Sequence, residues 1–195
     1  LDFHRTAQFI VVGTMGGSCH VYAMIVDNQK KGDLSTPNKG KAMATSTRVA
    51  REEAEHRRSK QYNLAEVAFR RDFREPVSDV KFNPNGDMIA AASNDDTICL
   101  YGCDTISDHN SVSCTLKPLH RLRGHSSYIT HLDWSRDGQL LRSTCGAYEL
   151  LYWNTEAGKQ FTGPTSDISF KTENCPLGFA MMGIWSPYMD GTDIN

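Results

Sequence analysis

Residues 77–101 (VSDVKFNPNGDMIAAASNDDTICLY) and 129–153 (ITHLDWSRDGQLLRSTCGAYELLYW) align along their whole length without a gap. Each begins with an alternating run in which Val80 and Phe82 correspond to Leu132 and Trp134. Side chains two apart share one face of a strand, so this alternation specifies a half-buried strand. Each run then breaks at a tetrapeptide ending in glycine, Asn83-Pro84-Asn85-Gly86 or Ser135-Arg136-Asp137-Gly138. Proline's fixed φ and glycine's tolerance of positive φ suit a hairpin turn. A second strand of small and apolar residues follows, 88–93 against 140–145. A third ends in an aromatic residue, 97–101 against 148–153. An outer fourth strand is expected at 116–123 in the first copy and at 166–172 in the second.

A four-stranded antiparallel unit repeated along a chain is the plan of a β-propeller blade. The stretch from Gly124 to Trp153 opens on Gly-His and closes on Tyr-Trp, which marks the blade as the WD-repeat kind. The fold class expected is therefore all-β, a WD40-type propeller fragment with a charged loop or helix insert. Residues 1–26 read as the end of a blade, with strands at 8–13 and 18–24, and its outer strand is expected within 64–75. A second blade is placed at 76–123, a third at 124–173, and a connection with the first strand of a further blade at 174–195. Between the first blade's third and fourth strands lies an insert, 27–63. Its first part is polar, with Gly, Pro and Lys; residues 47–61 carry helix formers and a Glu53–Arg57 pair four apart. A closed propeller needs at least about four blades, so the chain is expected to be a piece of a longer protein.

Charge separates the insert from the body. Residues 28–75 hold twelve Lys and Arg against seven Asp and Glu, a balance of +5, while the whole chain carries −2, leaving −7 elsewhere. That asymmetry points to a partner surface. The near-zero total suggests neither nucleic acid nor membrane as partner, and no apolar run approaches the roughly 18 residues of a membrane span. Six cysteines are present without a CxxC pair, the nearest two being Cys99 and Cys103. They read as buried free thiols of a reducing compartment, with no zinc site and no other metal or cofactor.

WD repeats often carry a buried hydrogen-bond chain through the Gly-His histidine, a Ser or Thr of the second strand, the Trp, and an Asp six residues before it. His125, Ser143 or Thr144, and Trp153 supply three members here, but Ala147 holds the Asp position, so the chain is expected to be broken in this blade. In the preceding blade Asp95 is present and the histidine is missing. A His, Ser and Asp set of this origin is structural, since buried polar atoms need partners. No GxSxG, P-loop or HExxH occurs, and no catalytic residues are assigned.

The terminal stretch 172–195 (TENCPLGFAMMGIWSPYMDGTDIN), with HSSYITHLDWS and YELLYWNTEAGKQFT, resembles the echinoderm microtubule-associated protein-like family. The resemblance covers 75–195 well and 1–26 more loosely, and leaves the insert unmatched. It implies a tandem core of two joined propellers and microtubules as partner, other microtubule-associated proteins included. The expected function is non-catalytic binding or stabilisation of microtubules in the cytoplasmic cytoskeleton, the ciliary axoneme included. Tubulin surfaces are acidic, so the insert's Lys30, Lys31, Lys39, Lys41, Arg48, Arg51, Arg57, Arg58 and Lys60 are the candidate contact. The alternative is a WD-repeat adaptor that assembles a soluble complex through its loops.

Overall fold

The computed structural model describes residues 1–27, 61–107 and 112–176. They form two compact units, one of Leu1–Ala23 with Glu66–Asn195, the other Met24–Ala65. The described part of the second unit consists of two strand ends, 24–27 and 61–65. No helix of the described residues is long and apolar enough to cross a membrane.

Three four-stranded antiparallel sheets account for the architecture of the described residues. The first contains β1 (Asp2–Phe3), β2 (Phe9–Gly13), β3 (Ser18–Asp27) and β4 (Gln61–Arg71). The second runs β5 (Val77–Phe82), β6 (Met88–Ser93), β7 (Thr97–Ser107) and β8 (Val112–Arg123). The third runs β9 (Ile129–Trp134), β10 (Leu140–Cys145), β11 (Leu150–Asn154) and β12 (Lys159–Phe161). Within each sheet neighbouring strands are consecutive in sequence, joined by short turns except where residues 28–60 separate β3 from β4.

The second sheet is buried on both faces, and the alternation of its side chains shows how. Ile89 and Ala91 of β6 join Cys99, Tyr101 and Cys103 of β7 in a core shared with Phe9, Val11, Cys19 and Val21 of the first sheet. Ala90 and Ala92, with Ile98 and Leu100, turn the other way into a core with Leu132, Trp134 and Leu141 of the third. Three consecutive alanines in β6 follow from this, because small side chains let both neighbouring sheets come close. Aspartates on the inner strands tie sheet to sheet: Asp2 Oδ2 accepts the Phe82 N–H at 2.8 Å, and Asp79 Oδ2 accepts the Leu132 N–H at 2.9 Å.

The repeat is kept in the backbone where the residues have drifted. Ala7, Gly86 and Gly138 occupy the same place in their hairpins, and all have positive φ (55°, 82° and 75°). Gly17, Asp96 and Tyr148 do so at the next turn (76°, 63° and 60°). Gly86 has a second constraint, since a Cβ there would lie 2.0 Å from His4 Nε2.

Three expectations need correction. The outer strand of the third sheet is β12, not 166–172. The turn after β11 is tight, with the Gly158 N–H donating to the Asn154 carbonyl and Gly158 at φ 65°, so the chain reverses at once and Phe161 pairs with Tyr152. Residues 166–172 return instead to the inner strand, where Ser135 bridges Phe170 and the Lys171 N–H donates to the Trp134 carbonyl. The first blade's fragment is a full four-stranded sheet, because Asp2–Phe3 pairs with β2. Its third strand reaches Asp27 and its fourth starts at Gln61, inside the limits set for the insert, and Gln61 is strand rather than the last residue of a helix. Residues 47–60 of that expected helix lie outside the described residues.

Candidate functional site

A polar cluster sits in the third sheet, where the chain enters β9 and where β10 turns into β11. His125 precedes β9, Ser143 lies in the middle of β10, and Trp153 lies on β11. Ser143 Oγ joins the three: Trp153 Nε1–H donates to it at 2.8 Å, and His125 Nε2 lies 2.6 Å away. An indole N–H can only donate, which leaves the serine hydroxyl proton for His125 Nε2. The imidazole proton then stands on Nδ1, facing Glu149 Oε2 at 3.3 Å.

Glu149 is the member the sequence reading missed. The chain was expected to stop at Ala147, yet a carboxylate closes it from two residues further on, its longer side chain spanning the difference. Its oxygens also accept from the Ser126 N–H (2.9 Å), the Ser126 hydroxyl (2.8 Å) and the Cys145 thiol (3.2 Å). In the second sheet Asp95 Oδ2 accepts the Arg74 N–H at 3.4 Å, and Arg74 aligns with Ser126. Both sheets therefore fasten the start of the inner strand to the turn between the second and third strands, with carboxylates rooted at different positions. The only sequence signal was an acid at the head of β11, one residue beyond the positive-φ Tyr148.

The other predicted members fall elsewhere. Thr144 points away from His125, and its hydroxyl lies 3.0 Å from that of Thr130. Asp95 serves its own turn, accepting from the Thr97 hydroxyl at 2.6 Å. In that sheet Phe73 stands in the histidine's place and is buried, while the Tyr101 hydroxyl donates to Asp72 at 3.0 Å. Lys30, Lys31, Lys39, Lys41, Arg48, Arg51, Arg57, Arg58 and Lys60, the candidate contact, lie outside the described residues, as does most of the terminal motif.

The nitrogen, sulfur and oxygen of His125, Cys145 and Glu149 lie within 4.8 Å of one another, a donor set that metals accept. Each is already engaged in the hydrogen bonds just given. The carboxylate alone satisfies Ser126, Cys145 and His125, so hydrogen bonding accounts for the cluster without an ion.

The cluster has a definite acid response. Burial holds the His125 imidazole below its ordinary 6.5. Hydrogen bonds from the Ser126 backbone and hydroxyl bring the Glu149 carboxyl from 4.5 down to about 2. Both folded-state values are depressed, so the stabilisation is present above the unfolded values and is lost as pH falls through the folded ones. The melting temperature is expected to decline below pH 6.5 and more steeply below 4.5. Glu149→Gln should flatten the lower limb relative to the unmodified protein in a pH series of thermal melts; an identical lower limb would contradict the assignment.

Comparison with known proteins places the whole chain in one context. The family model described as echinoderm microtubule-associated protein second beta-propeller matches residues 1–195. Echinoderm microtubule-associated protein-like 1 of Homo sapiens is 40% identical over 131 residues, 66% of this chain and 15% of that protein. Human echinoderm microtubule-associated protein-like 2 is likewise 40% identical over 66% of this chain, and 19% of its own length is covered. The 77 kDa echinoderm microtubule-associated protein of Lytechinus variegatus is 39% identical over 64% of this chain and 18% of its own length. The chain thus spans less than a fifth of the relatives it matches. Among solved structures, the crystal structure of the C-terminal WD40 domain of Sif2 superposes with a TM-score of 0.54 at 12% identity, over 83% of this chain and 35% of that one. At that identity the likeness concerns the fold, a WD40-type β-propeller.

Proposed function

We propose that this chain, which belongs to the echinoderm microtubule-associated protein family through its second β-propeller, is a binding element for microtubules and carries no catalysis. The observation that carries the reading is the 40% identity, over two thirds of the chain, to proteins named for microtubule association. The cytoskeleton is then its place in the cell. The blades act as a rigid platform, and the cluster around Ser143 acts as a structural lock within it. This assignment rests on the burial of His125 and Trp153 and on a set of polar groups that satisfy one another.

The contact we assign is the basic insert. Its nine lysines and arginines stand within a segment of net +5 in a chain of net −2. Attraction of this kind between exposed charges is screened by salt. Co-sedimentation of the full chain with taxane-stabilised microtubules should be saturable and should weaken as salt rises. Replacing the nine residues with alanine should cost at least about tenfold in affinity, equivalent to about 1.4 kcal/mol. Unchanged pelleting of that variant would remove the insert as the contact. No pelleting of the unmodified chain at low salt would favour an adaptor of soluble complexes instead.

A further inference from the structure

All six cysteines are free and buried, and two of them touch. Cys103 on β7 and Cys114 on β8 place their Sγ atoms 3.3 Å apart. The register explains the approach. Cys103 pairs with Leu116 and Thr105 with Cys114, so the two thiols are diagonal neighbours on one face of the sheet. Closing a disulfide from here takes about 1.3 Å of further approach, given an S–S bond of about 2.0 Å. Diagonal neighbours in a sheet lie about 7–8 Å apart at Cα, so closure also takes backbone movement, and β8 is the outer strand of its sheet.

Either sulfur can donate in the S–H···S hydrogen bond, and the one that accepts has its thiolate favoured. Cys114 is the more exposed of the two, at 7% against 2%. Thiolate character and access together select the attacking sulfur. Two other thiols share the same core, but burial raises Cys99 and drives Cys19 to about 12, so neither competes as nucleophile.

We propose that Cys103 and Cys114 are a redox-sensitive dithiol that closes to a cross-strand disulfide on exposure to a peroxide-class oxidant. Cys114 sulfur attacks one peroxide oxygen; the O–O bond breaks, a sulfenic acid forms and one water leaves. Cys103 sulfur then attacks the Cys114 sulfur; the S–O bond breaks, the S–S bond forms, and the thiol proton departs with the hydroxyl as a second water. Both sulfurs are oxidised, the peroxide is reduced, and a thiol reductant reverses the step. The bond ties the outer strand of the second sheet to its neighbour.

The test is to treat the full chain with hydrogen peroxide, alkylate the remaining thiols, and digest with trypsin and an Asp-directed protease. Cleavage at Asp108 separates the two cysteines. The fragments carrying Cys103 and Cys114 should stay joined until dithiothreitol is added, and the chain should lose two of its six alkylatable thiols. Cys103→Ser should abolish the link and leave a sulfenic acid on Cys114 that dimedone traps; Cys114→Ser should abolish both. Should a variant fold poorly, differential alkylation of the unmodified chain decides the matter alone. A link from Cys114 to Cys19 or Cys99, or two thiols that remain alkylatable while other cysteines oxidise, would overturn the proposal.

Discussion

Arg142→Ala is expected to destabilise the fold by about 3–5 kcal/mol, the cost of leaving a buried charge without its partner. The side chains of Arg142 and Asp133 are 2% and 1% exposed, and a guanidinium N–H donates to Asp133 Oδ2 at 2.9 Å. The same guanidinium lies 3.9 Å from the centre of the Phe170 ring and also donates to Glu173. The other Asp133 oxygen accepts from the Thr172 N–H (3.0 Å) and hydroxyl (2.8 Å). Arginine and aspartate together therefore hold residues 170–173 against the inner strand. For a domain of this size the loss corresponds to roughly 6–20 °C in melting temperature. Glu173→Gln acts on the same arginine but removes a carboxylate that is 39% exposed, and less than about 1 kcal/mol is expected. Thermal and denaturant unfolding of the two variants would decide it; equal effects would mean that burial of the pair is not what matters.

Trp153→Ala is expected to cost a similar amount, about 3–5 kcal/mol, by emptying a large site in the core between the second and third sheets. The indole is 2% exposed and passes close to Gly124, where a Cβ would lie 3.1 Å from its Cη2 atom. Trp153→Phe keeps part of the apolar volume and removes one of the two fused rings together with the N–H donated to Ser143. Its cost should stay below that of the alanine variant, at about 2–4 kcal/mol, because a smaller cavity is added to the lost hydrogen bond. Denaturant unfolding of both variants separates packing from hydrogen bonding. A phenylalanine variant as unstable as the alanine one would show that the hydrogen bond, not the volume, is the larger contribution.

Most of the blade plan was legible before any coordinates. Alternation in β5 and β9, the glycines that end their hairpin turns, the small residues of β6 and the aromatic residues Tyr101 of β7 and Trp153 of β11 are local signals, although β7 runs on past Tyr101 to Ser107. Each is set by the two-residue period of a strand or by the φ a turn demands. They appear in the chain in the order in which the sheets use them. The His125, Ser143 and Trp153 grouping was legible too, because a repeat brings the same positions together in every copy.

What the residues could not disclose is which side chains meet across elements when the repeat is imperfect. Glu149 closes the network that Ala147 seemed to break, because a longer side chain at a neighbouring position reaches the same donors. Residues 166–172 alternate like an outer strand, yet the tight turn at Gly158 gives that place to Lys159–Phe161 first. Arg142 lies on a strand that reads as interior, and only the approach of Asp133 and Phe170 makes a buried cation tolerable there. Cys103 and Cys114 are separated in sequence and matched by no motif; the register of β7 on β8 alone sets them side by side. The sequence by itself determined strands, turns and their repetition, since those depend on neighbours along the chain. The tertiary structure decided the pairings of charge, thiol and hydrogen bond, since those depend on register and packing between segments that the chain does not place next to one another.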